Sequence, residues 1–125
     1  MDYIHMRWLV GSVANWDDLF AQAYRALRPG GWLESFESDG VFLSDDGTLS
    51  EKSALSQWGK IFTNFGETTG RPFTVIENET QDKAMRAAGF ADIGMSDLKV
   101  RKWRPPRQAL QGVMLVMTNC FPFRG

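Results

Sequence analysis

The chain lacks the residues that build metal centres and disulfide frameworks. Its 125 residues include one Cys and one His, which excludes a disulfide framework and a zinc site made from Cys and His within this sequence. The longest fully apolar run, 113–117, is far shorter than the roughly 20 residues that span a bilayer. No basic segment followed by an apolar one opens the sequence. These absences predict an intracellular protein, cytoplasmic or nuclear, without membrane contact and without a bound metal.

Composition and charge indicate one globular domain with an uneven charge distribution. Apolar residues make up 43% and charged residues 23% of the chain, and the net charge is −1. Residues 99–125 nevertheless carry six basic side chains and no acidic one. Within 99–107, Trp103 lies among these bases, so nucleic-acid binding is one hypothesis. A solvated strand and tail is the interpretation we favour, and we expect no nucleic-acid partner.

The first third of the sequence has the pattern of a βαβ unit. A strand is predicted over 2–7, and Asn15 then has the chemistry of an N-cap for a helix over 16–27. Pro29-Gly30-Gly31 ends that helix, and an apolar strand over 32–36 follows. A strand, a helix and a second strand in this order predict a parallel sheet.

Further helices and a strand are predicted downstream. Thr48 and Glu51 fit a capping box for a helix over 49–68, whose apolar face places Trp58 in the core. A third helix is expected from Asn78 to a C-terminal cap at Gly89. A strand over 93–100 and a last apolar helix over 107–118 complete the predicted elements.

Five segments together resemble one family. They are Tyr3–Arg7, Gly11-Ser12-Val13, Ala23–Glu34, Ser44–Thr48 and Met85–Ile93, with Trp16 between the second and the third. In this order they are similar to the fungal LaeA-like class I methyltransferases, which use S-adenosylmethionine in secondary metabolism and development. The similarity covers roughly residues 2–100.

The resemblance implies an α/β fold, a partial Rossmann-like class I methyltransferase domain over 1–104 that holds the family's strands four to six with flanking helices. The first three strands are expected to be missing, and the family's last strand as well. Residues 105–125 are predicted as a basic and apolar C-terminal segment outside this domain.

The resemblance also implies a function and a difficulty. The family's cofactor is S-adenosylmethionine and its acceptor a small molecule or a protein, but no Gly-x-Gly-x-x-Gly loop occurs in the sequence. We therefore expect the isolated chain to lack methyltransferase activity. An unpaired first strand predicts self-association or a protein partner at the sheet edge. The alternative function is a non-enzymatic remnant or interaction module derived from a methyltransferase.

Candidate site residues lie where the two predicted parallel strands end. By resemblance, His5, Met6 and Arg7 face the methyl donor, while Glu37 and Asp39 could orient the substrate. The alternatives are a His5 satisfied by the backbone, an Arg7 in a surface salt bridge and two solvated loop carboxylates. No catalytic residue is assigned.

Overall fold

The computed structural model describes residues 1–42, 44, 47, 49–101 and 111–120, with 97–101 and 111–120 described as backbone. Within them the chain forms one four-stranded sheet and three helices. In chain order the elements are β1 (Tyr3–Arg7), α1 (Trp16–Ala26), β2 (Trp32–Ser38), α2 (Ala54–Thr69), α3 (Thr80–Ala88), β3 (Ile93–Arg101) and β4 (Gln111–Cys120). The strand order is β1-β2-β4-β3.

The predicted βαβ unit is confirmed. β1 and β2 are parallel, with His5 opposite Glu34. Before α1, the Asn15 side chain accepts a hydrogen bond of 3.1 Å from the backbone N–H of Asp18, so Asn15 is the N-cap that the sequence predicted. After α1, the chain turns through Gly30 at φ +79° and enters β2.

The prediction of a last helix over 107–118 is wrong over 111–118, which belong to a strand, while 107–110 lie outside the described residues. The expectation that the family's last strand is missing is wrong as well. β4 lies between β2 and β3 and is antiparallel to both, with Leu33 opposite Asn119 and Ile93 opposite the same residue. The run 113–117 is apolar on successive positions, which is compatible with a buried helix and with a central strand. Pairing on both of its edges decides for the strand, and part of the segment 105–125 thereby joins the sheet.

The core lies on one face of the sheet, under α1 and α3. Met6 and Leu33 of the parallel strands point to this face, where Phe20 of α1 and Met85 of α3 are fully buried. The other buried apolar residues of this cluster are Trp16, Ala23, Leu27, Val75, Ala84 and Phe90. Gly89, at φ +99°, ends α3 as predicted.

The second helix begins later than the sequence pattern predicts. α2 starts at Ala54, because the side chain of Ser53 accepts from the backbone N–H of Ser56 at 3.2 Å and acts as the N-cap. The prediction that Trp58 belongs to the core is also wrong, since this side chain is 53% exposed. The apolar face of α2 therefore points partly to solvent.

Candidate functional site

Loops from three parts of the chain meet where the parallel strands β1 and β2 end. Residues 8–13 follow β1, and residues 39–42 follow β2. The segment 71–79 joins them, since the carbonyl of Phe73 accepts from the N–H of Gly40 at 3.3 Å. Open α/β sheets bind ligands at this end of their strands. This edge is therefore the candidate site.

His5 points away from the core and pairs with a carboxylate. Its Nδ1 lies 2.8 Å from Glu34 Oε2, and the hydroxyl of Tyr3 donates to the same oxygen at 2.5 Å. The hydrogen bond from Tyr3, followed by that from His5, holds the pKa of Glu34 below its usual value. The Tyr3 pKa is raised, mainly by the same bond to Glu34. His5 is thus satisfied by a side chain rather than by the backbone.

Met6 and Arg7 lie on opposite faces of the sheet. The Met6 side chain is buried in the core, so only its backbone borders the strand end. The Arg7 side chain is exposed, and its guanidinium carbon lies 6.0 Å from the centre of the Phe36 ring. The structure therefore does not bring the His5, Met6 and Arg7 side chains together on one rim. Their assignment to the methyl donor stays a prediction.

Glu37 is fully buried and holds the loop after β1. Leu9 N–H donates to both carboxylate oxygens at 2.8 and 2.9 Å, and Val10 N–H donates to one of them at 2.9 Å. Burial raises the pKa of Glu37, while these two backbone N–H groups oppose the rise. Glu37 is therefore not the solvated loop carboxylate of the alternative interpretation, and substrate contact stays a prediction.

Asp39 makes the same kind of contact as Glu37, but to a different loop. Its two oxygens accept from Ile76 N–H and Glu77 N–H, each at 2.9 Å. Burial raises the Asp39 pKa, and the two N–H groups again oppose that rise. Two carboxylates at the end of β2 thus each bind two successive backbone amides, and the two pairs of amides belong to different loops.

The sequence does not reveal the role of Trp8. Its backbone N–H completes the ladder by donating to Phe36 O at 3.1 Å, and the chain then turns with Trp8 at φ +57°. This conformation costs a non-glycine residue about 1–2 kcal/mol. The indole is 52% exposed and contacts the Phe36 ring edge-on, with 6.4 Å between centres. No sequence pattern signals a positive φ at a Trp.

Gly11 and Phe73 complete the loop after β1. Gly11 has φ +74°, and a Cβ placed there would lie 2.0 Å from the Phe73 ring. Only a glycine both adopts this conformation and leaves room for that ring. The sequence shows Gly11 directly, but no pattern in it indicates that Phe73 is the aromatic neighbour.

The described residues contain neither a metal-binding cluster nor a membrane-spanning helix. Among them, no group of three or more His, Cys, Asp or Glu side chains could hold a metal ion. No helix of the described ranges is long and apolar enough to cross a membrane.

No family model matches the chain, but individual relatives do. The methyltransferase cpsF of Aspergillus campestris is 36% identical over 99 residues, which cover 79% of this chain and 34% of cpsF. The secondary metabolism regulator laeA of Aspergillus fumigatus is 38% identical over 104 residues, 82% of this chain and 27% of laeA. The probable methyltransferase tdiE of Emericella nidulans is 44% identical over 75 residues, 59% of this chain and 23% of tdiE. The chain thus spans about a third, or less, of these relatives.

Solved structures with the same fold are also methyltransferases. A possible histamine N-methyltransferase of Thermotoga maritima superposes on 97% of this chain with a TM-score of 0.59 at 18% identity, and 56% of that protein is covered. A phosphoethanolamine N-methyltransferase of Haemonchus contortus, solved with S-adenosylhomocysteine, gives 98% coverage and a TM-score of 0.60 at 17% identity, with 34% of that protein covered. The sheet is therefore part of a Rossmann-like class I methyltransferase fold.

Proposed function

We propose, from the premise that the chain is related to the fungal LaeA-like methyltransferases, that it supplies the C-terminal part of a domain that transfers a methyl group from S-adenosylmethionine. The reaction would serve secondary metabolism, and the acceptor would be a small molecule or a protein. The strand order β1-β2-β4-β3, with one parallel pair followed by an antiparallel insertion, is the observation that carries the proposal. Two solved methyltransferases superpose on 97% and 98% of this chain, which covers 56% and 34% of their own lengths.

The residues at the end of β1 fit one side of a methyl-donor site. The exposed Arg7 and Trp8 side chains and the Met6 backbone would border the donor, and His5 would contribute through its pair with Glu34. S-adenosylmethionine, when bound, supplies an electrophilic methyl group. The aromatic side chains at this edge would help to orient the acceptor and exclude water, which such a displacement at carbon requires.

The Gly-x-Gly-x-x-Gly pattern of a cofactor-binding loop does not occur in the 125 residues. The rest of the domain, on the same polypeptide or on another, would have to bring such a loop. We therefore propose that the chain alone is inactive and acts inside the cell together with a complementary segment.

The free edge of β1 is the surface on which such a segment would pair. Trp32 N–H donates to Asp2 O and Trp8 N–H donates to Phe36 O, so the even-numbered residues of this stretch bond to β2. In a parallel ladder the N–H and C=O groups of Tyr3, His5 and Arg7 then point away from β2. In the described part of the chain no strand pairs with this edge. A protein partner or a second copy of the chain would satisfy these groups.

Calorimetry separates this function from its rival. The chain is titrated with S-adenosylmethionine alone and together with the part of cpsF outside the matched region, called the cpsF segment. We expect binding in the micromolar range only for the mixture, with the cpsF segment alone as the control. Micromolar binding by the chain alone would contradict the need for a complement. No binding by the mixture would favour the non-enzymatic interaction module, which the exposed Tyr3, Trp8 and Trp32 side chains support.

Two substitutions at one position test the edge. His5→Pro removes an N–H that points away from β2, whereas His5→Ala keeps that N–H and removes only the side chain. We expect His5→Pro to abolish association of the chain with the cpsF segment or with a second copy, measured by analytical ultracentrifugation. His5→Ala should retain this association. Equal association of the two variants would exclude β1 pairing. Circular dichroism verifies that both variants are folded.

A further inference from the structure

Glu37 is buried, ionisable and placed next to the candidate site without reaching solvent. Its three hydrogen bonds all go to Leu9 and Val10, the residues that follow Trp8. Hydrogen bonds to an ionised acceptor are roughly twice as strong as neutral ones. The carboxylate therefore fixes the backbone immediately after the residue with φ +57°.

Other contacts hold the same loop, so that its conformation is over-determined. Trp8 N–H is held by Phe36 O, Ser12 N–H donates to Leu9 O at 2.9 Å, and Gly11 rests against the Phe73 ring. A strained backbone persists only where the surroundings impose it, and such residues cluster at functional sites. Trp8 meets this condition. β2 holds its own N–H, and the residues that follow it are held by β2 and by contacts within the loop.

We propose that Glu37 is a positioning residue that sets the loop 8–13 and thereby holds the Trp8 side chain at the ligand-binding end of β1. This proposal rests on the proposed function for its ligand, because Trp8 would border the methyl donor. Glu37 itself would touch neither donor nor acceptor. Its part in substrate binding would thus be indirect, through the amides of Leu9 and Val10.

Asp39 provides a matched control. It is a carboxylate at the same end of β2, and it also binds two successive amides, but those belong to Ile76 and Glu77 on another loop. Glu37→Gln and Asp39→Asn therefore each remove one carboxylate that binds two successive amides, and the two pairs of amides belong to different loops. A general effect of lost charge or lost stability would appear in both variants alike.

Hydrogen exchange of single backbone amides, measured by NMR, tests the positioning. In Glu37→Gln we expect Leu9 and Val10 to exchange about ten- to a hundredfold faster, with Ile76 and Glu77 unchanged. Asp39→Asn should give the reverse pattern. Unchanged exchange at Leu9 and Val10 in Glu37→Gln would overturn the proposal. If that variant does not fold, the wild type decides, because both amides must exchange at least about tenfold more slowly than in an unstructured peptide.

The indole N–H resonance of Trp8 links the loop to the ligand. It is assigned by comparison with Trp8→Phe and followed during titration with S-adenosylhomocysteine in the presence of the cpsF segment. We expect the resonance to shift during the titration in the wild type and in Asp39→Asn. In Glu37→Gln the apparent affinity obtained from this shift should be at least about tenfold lower. Equal responses of wild type and Glu37→Gln would overturn the positioning role. No response in any protein would count against the proposed function, while the exchange result still decides on Glu37.

Discussion

The helices α1 and α2 have similar apolar patterns in the sequence but different surroundings in the fold. α1 buries Trp16 and Phe20 completely or nearly so in the core beneath β1 and β2. In α2 the side chains at 3–4 residue spacing, Trp58, Ile61 and Phe65, are each more than half exposed. Apolar periodicity therefore predicts that a helix forms, but not that its apolar face is covered.

Glycines explain how α2 is oriented. Gly59 and Gly66 are the buried residues of this helix, and a Cβ on Gly59 would lie 3.0 Å from the carbonyl oxygen of Gly40. The helix thus rests on neighbouring backbone through its glycine side, about a quarter turn from the aromatic residues. α1 follows the βαβ rule, in which the crossover helix packs on the sheet. No such rule constrains α2.

The largest predicted effect separates the two helices by one substitution in each. Phe20→Ala removes a ring with no exposed surface, and we expect it to lower the free energy of unfolding by about 3–5 kcal/mol. Phe65→Ala, in the exposed face of α2, should cost less than about 1 kcal/mol. Urea unfolding followed by circular dichroism measures both. Equal losses would mean that the face of α2 is covered in solution.

The second prediction concerns the glycine side of α2. A Cβ on Gly66 would lie 2.8 Å from the carbonyl oxygen of Arg71, so Gly66→Ala forces a shift of the backbone there. Overpacking of about 1–3 kcal/mol then exceeds the gain of about 1 kcal/mol in helix propensity. We expect a net loss of stability in urea unfolding. Asn64→Ala, on the exposed side, is the control and should show none, whereas stabilisation by Gly66→Ala would contradict this docking.

The third prediction compares the two N-caps. Asn15→Ala should lower the free energy of unfolding by about 1 kcal/mol, because α1 is part of the cooperative core. Ser53→Ala removes the equivalent bond from α2 but should leave the global value nearly unchanged. Its effect should appear as faster hydrogen exchange within α2. A global loss of the same size in both variants would indicate that α2 unfolds together with the core.

Local signals in the sequence were sufficient for the parallel part of the fold. Asn15, Pro29 and Gly89 each mark a helix boundary through a backbone requirement of their own, and the structure has those boundaries where predicted. The run 113–117 carried no such signal. Its identity as a strand depends on pairing with the preceding strand β3 and with β2, which lies far away in the sequence.

The site was predicted less completely than the fold. The sequence places Glu37 and Asp39 at the right end of the right strand, but their partners are backbone amides, which no residue pattern reveals. Trp8 escaped attention because its importance depends on a backbone angle. Tertiary contacts, rather than residue types, define this edge.

The last prediction compares the two faces of β2. Glu34 on the open face has a lowered pKa, whereas Glu37 on the covered face has a raised one, each relative to an ordinary value of 4.5. The stabilising contribution of Glu34 is therefore full above pH 4.5 and is lost as the pH falls through its folded pKa. The contribution of the Glu37 shift has the opposite sign. It is present below pH 4.5 and is lost as the pH rises through its folded pKa.

Glu34→Gln and Glu37→Gln isolate these two terms. Urea unfolding at several pH values, from well below pH 4.5 up to pH 7, gives the stability difference between wild type and each variant. With falling pH, the difference should shrink for Glu34→Gln and grow for Glu37→Gln. Tyr3→Phe removes the hydrogen bond that lowers the Glu34 pKa most. In this background the stability difference caused by Glu34→Gln should depend less on pH, while the difference caused by Glu37→Gln should keep its pH dependence. Slopes of the same sign for the two Gln variants would mean that the N–H groups of Leu9 and Val10 outweigh burial and lower the Glu37 pKa instead of raising it.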